Sequence, residues 1–282
     1  NAPRLASKMG QPIVKNLRKI GQDNGYTFSI YKTKSILHGL SQVRDRTFYF
    51  FWKGNKTPQL PYFRRDYERI EDTIRNTKLE KDDPMNIPVN NKVPTDNPFY
   101  KYVLEEMEGG ITHTEFFNKI EKSANPLHWI EDHGSNYYEL SEWCEKNGYE
   151  SQAKKTKRMA DKVKAGGNVM RRTIEIGKDR IGAFVAHLPN HLTHPDADRF
   201  LNVRECLEIM KLPKDFQLQG GIKNLNHICQ NVPVTTAMDM AENVKSFLAG
   251  ESKLVKSDFS IQCNKTRKFW SEPEPATLES FF

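Results

Sequence analysis

The sequence predicts an α/β protein in which a sheet ends in antiparallel edge strands and a long polar segment interrupts the chain. A helix, a strand, a polar link and a second strand follow one another within residues 9–52. A doubly wound sheet can finish with an antiparallel edge in this order. Residues 54–98 are then rich in Pro, Asn, Asp and Lys, which is typical of a domain change or a long surface excursion. The length of 282 residues suits one large domain or two medium ones.

The first elements are predicted from hydrophobic spacing. Ile13, Leu17 and Ile20 recur at helical intervals, and Gly25 marks the point where that helix ends. TFSIYKTKSI (27–36) is predicted to be a strand, and the aromatic and β-branched TFYFFW (47–52) is predicted to be a buried one. Because only a short link separates them, we expect the two strands to be antiparallel neighbours.

The link between these strands carries an unusual pattern of polar side chains. Gln42, Arg44 and Arg46 lie two residues apart, directly before the second strand. Since extended chain places alternate residues on one face, we expect the three side chains to point the same way at the mouth of the sheet. The alternative is a surface arginine pair held in salt bridges.

Helices are predicted in the first part of the segment that follows. They are expected at residues 99–107, at 113–122 and at 136–148. Thr114 is the expected cap of the second of these helices, and Gly148 is expected to close the third.

The second part of this segment predicts two strands and two helices. RTIEIG (172–177) and GAFVAHL (182–188) are expected to be the strands. A helix capped by Asn202 is expected to run to Met210, and a last helix spans about residues 235–248.

Residues 151–172 are strongly basic, with Asp161 as the single acidic residue. A solvated helix face is one explanation. However, Gly166 and Gly167 interrupt the helix in the middle of the charge, and a glycine loop beside a basic helix favours contacts with phosphate groups. The eight side chains expected to make these contacts are Lys154, Lys155, Lys157, Arg158, Lys162, Lys164, Arg171 and Arg172.

Composition restricts the partners and the compartment. The net charge of +7, from 43 Lys and Arg against 36 Asp and Glu, favours a polyanionic partner without proving one. The four cysteines show no CxxC or zinc-site spacing, so we expect reduced thiols in a cytoplasmic-type compartment and no metal. The sequence contains no apolar stretch of the roughly 18 residues that a membrane span needs, so no membrane association is expected.

The chain carries three motifs in a fixed order, QVRDR (42–46), RFLNVRECLEIMKLPKDF (199–216) and HICQNVPV (227–234). Their order resembles that of the DNA cytosine C5-methyltransferases. QVRDR (42–46) resembles the family's Gln-x-Arg-x-Arg motif, and RFLNVRECLEIMKLPKDF (199–216) resembles its later Arg and Thr-x-Arg-Glu motif. HICQNVPV (227–234) resembles its closing Gln-Ile-Gly-Asn-x-Val-Pro motif. The resemblance implies the C-terminal part of a Rossmann-like methyltransferase domain with antiparallel edge strands. The long insert corresponds to the family's α+β target recognition domain.

The resemblance also implies roles for individual residues. Members of the family attack C6 of a flipped cytosine with a cysteine thiolate, and C5 then accepts a methyl group from S-adenosylmethionine. Arg46 corresponds to an arginine on the O2 side of the cytosine, where negative charge develops. Arg44 corresponds to a partner that braces a phosphate or the nucleophile loop, and Gln42 to a residue that fixes the strand entrance. The residues implied to contact the cofactor are Gln230, Asn231 and Val232, with Gln230 standing where the family has Asn.

The later motif is implied to have a structural role. Arg199, Arg204 and Glu205 correspond to residues that order the recognition domain through ion pairs and helix capping, and Cys206 is expected in the core. The implied division of the chain has four parts. They are catalytic residues 1–54, the recognition domain 55–221, a return helix 222–250 and a partly disordered tail 251–282.

The nucleophile of the family is absent from these 282 residues, because none of the four cysteines follows a proline. We therefore expect the C-terminal half of a DNA (cytosine-5)-methyltransferase. Its partners would be double-stranded DNA and an N-terminal half from the same gene or a second chain, in the cytoplasm of a bacterial or phage-infected cell. The alternative is a non-catalytic DNA-binding specificity subunit of a two-chain methyltransferase.

The last residues suggest a further partner. Residues 271–277 are rich in Pro, Glu and Ser/Thr and are expected to be a disordered spacer. The spacing of Leu278, Phe281 and Phe282 resembles that of peptides that dock on replication sliding clamps, although Pro275 stands where such peptides usually have Gln. The alternative is that both phenylalanines pack on their own domain.

Overall fold

The computed structural model describes residues 10–169, 173–185 and 188–264, and the chain divides into two compact units. The first unit comprises Asn1–Glu68 and Val232–Phe282, and the second comprises Arg69–Asn231. The second unit is therefore an insertion in the sequence of the first unit, whose two parts precede and follow it. The functional division into catalytic residues, recognition domain and return helix stays a prediction.

The first unit is built on a mixed sheet. In chain order its elements are α1 (Gln11–Asp23), β1 (Tyr26–Lys34), β2 (Asp45–Lys53), β3 (Thr57–Pro58), α10 (Val234–Leu248), β4 (Leu254–Val255) and β5 (Phe259–Cys263). The sheet has the order β2-β1-β5, with β1 antiparallel to β2, as predicted, and parallel to β5. β3 and β4 form a separate antiparallel pair.

The alternation of side chains along β1 gives the sheet two apolar faces. Phe28 lies opposite Phe51 of β2 and Phe259 of β5, and this face meets α1, where a Cβ at Gly21 would stand 3.2 Å from the Phe51 ring. On the other face, the Trp52 ring packs 4.8 Å from Phe247 of α10, and Met240 joins the same cluster. Helices therefore cover both faces of the sheet, which is a mixed α/β arrangement.

One sequence prediction for this unit is corrected. TFYFFW forms β2 but is not fully buried: Phe51 is exposed, because within the described residues β2 pairs only with β1 and so lies at a sheet edge. Within the predicted partly disordered tail, residues 259–263 form β5, which is hydrogen-bonded to β1. The proposed spacer and the clamp-like Leu278, Phe281 and Phe282 lie outside the described residues.

The described part of the second unit is mainly helical. Its helices are α2 (Ile70–Asn76), α3 (Pro98–Tyr102), α4 (His113–Lys119), α5 (Pro126–Asp132), α6 (Tyr137–Lys146), α7 (Glu150–Lys164), α8 (Val203–Ile209) and α9 (Leu225–Gln230). A π-helical turn, Val103–Met107, continues α3. One apolar core contains residues of the five helices from α3 through α7, and a second contains residues of α2, α8 and α9. None of the described helices has both the length and the apolar character that crossing a membrane would demand.

Two predictions for the second unit are wrong. Thr112, and not Thr114, caps α4, because its side chain accepts a bond from the Glu115 amide while the Glu115 carboxylate accepts one from the Thr112 amide. The segments RTIEIG and GAFVAHL form no strand in their described residues. Only isolated bridges occur there, such as Ala124 with Ile176, since no neighbouring strand continues the ladder.

The helix α8 begins at a buried carboxylate. Glu205 is 1% exposed and accepts two hydrogen bonds from the Arg199 guanidinium, at 2.9 and 2.7 Å. Its side chain also accepts from the amide of Asn202, the predicted cap residue, at 2.7 Å. Arg204 instead pairs with Asp83 at 2.6 Å. The ion pairs expected for this motif are therefore present, but Glu205 pairs with Arg199 and not with its neighbour.

The buried Glu205 predicts a measurable loss of stability on truncation. Glu205→Ala would leave Arg199 without its partner and remove the cap, and we expect the free energy of unfolding to fall by about 3 kcal/mol. Urea unfolding of the chain measures this. Glu242→Ala, which removes an exposed carboxylate on α10, is the control and should change stability by less than about 0.5 kcal/mol. Equal stability of the two variants would contradict the structural role of Glu205.

Candidate functional site

The motif Gln42–Arg44–Arg46 lies buried at the start of β2. The three residues are 0%, 5% and 8% exposed, which does not fit a pair of surface arginines. Arg46 lies opposite Thr33 of β1 and therefore on the sheet face that α10 covers, and its Nη1 donates to the Asp45 carbonyl at 2.8 Å. The Arg44 carbonyl accepts from the Ser35 amide at 3.0 Å. Burial of two permanent cations is costly unless surrounding groups compensate their charge.

A hydrogen-bonded chain crosses the unit beside this motif. His38 Nδ1 lies 2.7 Å from Asp239 of α10, and His38 Nε2 lies 2.7 Å from the Thr33 hydroxyl. That hydroxyl accepts a bond from the Asn264 side-chain amide at 3.1 Å, and its own proton is available for a bond to Nε2. These bonds fit a neutral His38 that donates from Nδ1 to the carboxylate, the form that burial favours.

The Asp239 carboxylate also joins a second loop to this network. It is 4% exposed, and Arg65 donates to its other oxygen. Burial lowers the pKa of His38 below its usual value, and the bond to Asp239 only partly offsets that effect. The neutral, buried imidazole therefore connects β1, α10 and the link that leads to Arg44.

Sequence reasoning missed His38, Arg65 and Asp239. A weak signal exists for Asp239, which stands between two methionines in the last helix and is the acidic residue of a largely apolar turn. His38 opens the polar link, but nothing in the pattern connects it to a residue 201 positions later. Contacts over such separations are not visible as local periodicity.

The predicted cofactor residues lie in the turn between α9 and α10. Gln230 ends α9 and Asn231 follows it, and both are exposed, whereas Val232 is half-buried and belongs to the first unit. The Asn231 amide donates to the Ile228 carbonyl at 3.0 Å. The structure thus gives this turn two accessible side-chain amides next to an apolar residue.

The basic region is a helix with a sharply defined end. Ala153, Thr156 and Ala160 are buried on the inner face of α7, while Lys154, Arg158 and Lys162 follow one another at four-residue spacing on the outer face. The Gly167 amide bonds to the Lys162 carbonyl at 2.9 Å, and Gly166 adopts a φ of +78°, so the predicted glycine break is confirmed.

The charges of α7 are available to a ligand. Lys154, Lys157, Arg158, Lys162 and Lys164 are exposed and make no ion pair with other described residues. Lys155 is also exposed, but its ammonium lies 5.4 Å from the centre of the Phe99 ring of α3, and this cation–π contact holds it close to α3. Arg171 and Arg172 lie outside the described residues.

Two of the four cysteines are buried where the thiolate form is disfavoured. Burial raises the pKa of Cys144 to about 11 and also raises the pKa of the fully buried Cys206. Cys229 is buried beside it, and Cys263 lies half-buried on β5. Since the thiolate is the reactive form, this burial disfavours a nucleophilic role of Cys144 and Cys206 at neutral pH.

The fold and this site define a mixed α/β protein with arginines buried at a strand entrance and with a second, mainly helical unit that carries the basic helix α7. A family model described as C-5 cytosine-specific DNA methylase matches residues 1–246. The chain therefore belongs to the C-5 cytosine-specific DNA methylase family, whose members are cytosine methyltransferases. No curated protein sequence matches the chain.

The neutral His38 predicts a pH dependence of stability. Its pKa is lower in the folded than in the unfolded protein, so the unfolded chain takes up the proton first as the pH falls. We expect the free energy of unfolding to decrease below about pH 6.5, the usual pKa of histidine. His194 of the second unit, whose pKa burial also lowers, contributes in the same direction.

Unfolding measured between pH 5 and 8 tests this expectation. His38→Gln should remove part of the loss at low pH, whereas His227→Gln, at an exposed position of α9, should not. The assignment fails if His38→Gln and the wild type lose stability in parallel as the pH decreases.

Proposed function

We propose that the chain forms part of a DNA (cytosine-5)-methyltransferase, in which it supplies target recognition and one wall of the cytosine pocket. The observation that carries this proposal is the burial of Gln42, Arg44 and Arg46 at the start of β2 in a chain of the cytosine methylase family. Guanidinium groups fixed in a dry environment are suited to stabilise charge that develops during a reaction.

The proposed chemistry requires the target base to leave the DNA stack. A cytosine cannot be attacked at C6 inside a duplex, so it is flipped into a pocket. Nucleophilic attack at C6 places negative charge on the ring, and Arg46 would stabilise that charge from the O2 side. Arg44 would brace a phosphate or the nucleophile loop, and Gln42 would hold the strand entrance in place.

The turn after α9 is suited to the rim of a cofactor site. The exposed amides of Gln230 and Asn231 fit hydrogen bonds to polar groups of S-adenosylmethionine, and the half-buried Val232 fits an apolar contact. When bound, S-adenosylmethionine supplies the methyl group that C5 of the cytosine accepts. The side chains of this turn would orient that ligand and take no chemical part.

The outer face of α7 is the proposed DNA interface. Lys154, Arg158 and Lys162 form a stripe of exposed cations, and the phosphate backbone carries the complementary charge. Lys155, Lys157 and Lys164 flank this stripe, and Arg171 and Arg172 extend the proposal on sequence grounds alone. The clamp contact through Leu278, Phe281 and Phe282 remains a hypothesis that rests on sequence spacing.

A non-catalytic specificity subunit is the second candidate function. The observation that favours it is the basic outer face of α7, together with the burial that raises the pKa of the Cys144 and Cys206 thiols. The two candidate functions predict different effects of a substitution at Arg46. In a methyltransferase assembled with a region that carries the Pro-Cys nucleophile, Arg46→Lys should abolish methyl transfer and preserve DNA binding. In a pure specificity subunit it should leave both unchanged.

Removal of the α7 stripe should weaken the salt dependence of DNA binding. Each phosphate contact contributes about 0.9 to the slope of log K against log salt concentration. Replacing Lys154, Arg158 and Lys162 by Ala should therefore lower the slope by up to about three. Titration of a labelled duplex at several salt concentrations measures it.

The control for that titration changes the same number of charges elsewhere in the unit. Lys78, Lys81 and Lys92 are exposed and belong to no ion pair among the described residues. Their triple Ala variant should keep most of the slope. If both triple variants reduce the slope by the same amount, α7 is not a specific DNA interface and the effect reflects net charge alone.

The 282-residue polypeptide by itself should transfer no methyl group. No cysteine follows a proline in it, and the pKa values of the Cys144 and Cys206 thiols are raised. Incubation with duplex DNA and S-adenosylmethionine labelled in the methyl group measures incorporation, with an active cytosine methyltransferase as the positive control. Incorporation by the polypeptide alone would refute the need for a nucleophile from another region.

A further inference from the structure

The loop of residues 60–66, which follows β3 in the first unit, is fixed at both ends but presents two side chains to solvent. Leu60 and Phe63 are turned into the unit, where Leu60 is 3% exposed. Tyr62 is 65% exposed and Arg64 is exposed as well. The two outward side chains therefore stand on a backbone that cannot move freely.

The first end of the loop is held by β1 and β5. The Leu60 amide donates to Gln262 Oε1 at 2.8 Å, and Gln262 Nε2 donates back to the Leu60 carbonyl at 2.9 Å. The Tyr31 hydroxyl donates to the Pro61 carbonyl at 2.8 Å. Three hydrogen bonds thus define the backbone on the N-terminal side of Tyr62.

The second end is held by the network around His38. The Arg65 amide donates to the Leu37 carbonyl at 3.1 Å, and the Arg65 guanidinium pairs with Asp239. The Phe63 ring lies 5.1 Å from the His38 ring. Ordering a backbone residue costs conformational entropy. Because the protein itself orders the loop, a ligand that binds Tyr62 and Arg64 does not have to offset that cost.

The outward side chains have no partner within the part of the chain that the structure describes. Neither Tyr62 nor Arg64 makes a hydrogen bond or an ion pair there, in contrast to Arg65, whose charge Asp239 balances. A free guanidinium two residues from an exposed aromatic ring is suited to a chain of phosphates and flat bases.

We propose that Tyr62 and Arg64 form a second DNA contact, in the unit that carries the buried arginines and not in the unit that carries α7. Arg64 binds a phosphate, and Tyr62 packs against an adjacent base or deoxyribose. The place of the loop follows from its bonds: it is attached to Leu37 and His38, at the start of the link that ends at Arg44. This inference rests on the proposed DNA-binding function and adds a contact with the DNA strand next to the target cytosine.

A duplex titration with the full chain tests the contact. Arg64→Ala should lower the salt slope by about one, while Arg64→Lys should retain it, because either cation can bind a phosphate. Lys19→Ala, which removes an exposed charge from α1 of the same unit, should leave the slope close to that of the wild type. An Arg64→Ala slope equal to that of the wild type would overturn the inference.

The aromatic side chain and the anchor are tested separately. Tyr62→Ala should reduce affinity roughly tenfold without a change in slope, and Tyr62→Phe should bind as the wild type does. Gln262→Ala, which releases the loop without altering charge, should weaken binding if the fixed backbone matters. Circular dichroism and thermal melting confirm that each variant is folded.

The outcomes separate this inference from the proposed function. If the α7 triple variant loses its slope while the Tyr62 and Arg64 variants bind normally, the loop contact is wrong and the DNA-binding function stands. If the loop variants lose binding and the α7 variant does not, the loop is the interface. Absence of any duplex binding by the wild type would refute both, and recognition of another protein by the loop would then be the remaining explanation.

Discussion

The carboxylate of Asp239 is the group on which the first unit depends. It lies on α10, and it binds His38 of the link before β2 and Arg65 of the loop after β3. A buried carboxylate left without partners would cost several kcal/mol, so these two bonds and the helix must form together. The Arg65 side chain is 58% exposed, so water weakens its ion pair with Asp239. The fully buried bond from His38 is therefore the stronger restraint.

This restraint explains how the link keeps its shape without regular structure. Residues between the 3-10 turn Ser35–Leu37 and β2 have few backbone partners of their own. The Ser35 amide bonds to the Arg44 carbonyl, and the Arg65 amide bonds to the Leu37 carbonyl. The two arginines that the sequence pattern singled out are thus positioned by contacts that the pattern does not contain.

Local signals were sufficient for the elements that local physics determines. The β1–β2 pairing follows from alternation and a short link, and the ends of α6 and α7 follow from Gly148 and Gly166, which both adopt positive φ. The choice of Thr114 as a cap failed because two threonines two residues apart fit the same pattern. Only the reciprocal bond with Glu115 selects Thr112.

Long-range pairing was the part that could not be predicted. β5 pairs with β1 as a parallel strand from 231 residues away, and its sequence, FSIQC, has no feature that identifies the strand it pairs with. The reverse error occurred at RTIEIG, where β-branched residues indicated a strand but only isolated bridges formed. Strand composition describes a half-buried surface, and a strand exists only where a partner supplies the ladder.

The chain uses arginine in two physical settings, and burial separates their roles. Two unit charges 4 Å apart interact by about 1 kcal/mol in bulk water and about 4 kcal/mol at an effective dielectric constant of 20. Arg44 and Arg46, nearly excluded from solvent, are in the second setting and suit a single, well-placed charge on a reacting ring. Arg158 on the outer face of α7 is in the first setting. There each contact is weak, salt screens it, and only a row of cations along a polyanion gives useful affinity. A guanidinium fixed in the interior and a stripe of surface cations therefore suit different tasks, and the proposed function, base modification by a protein that also binds DNA, would use both.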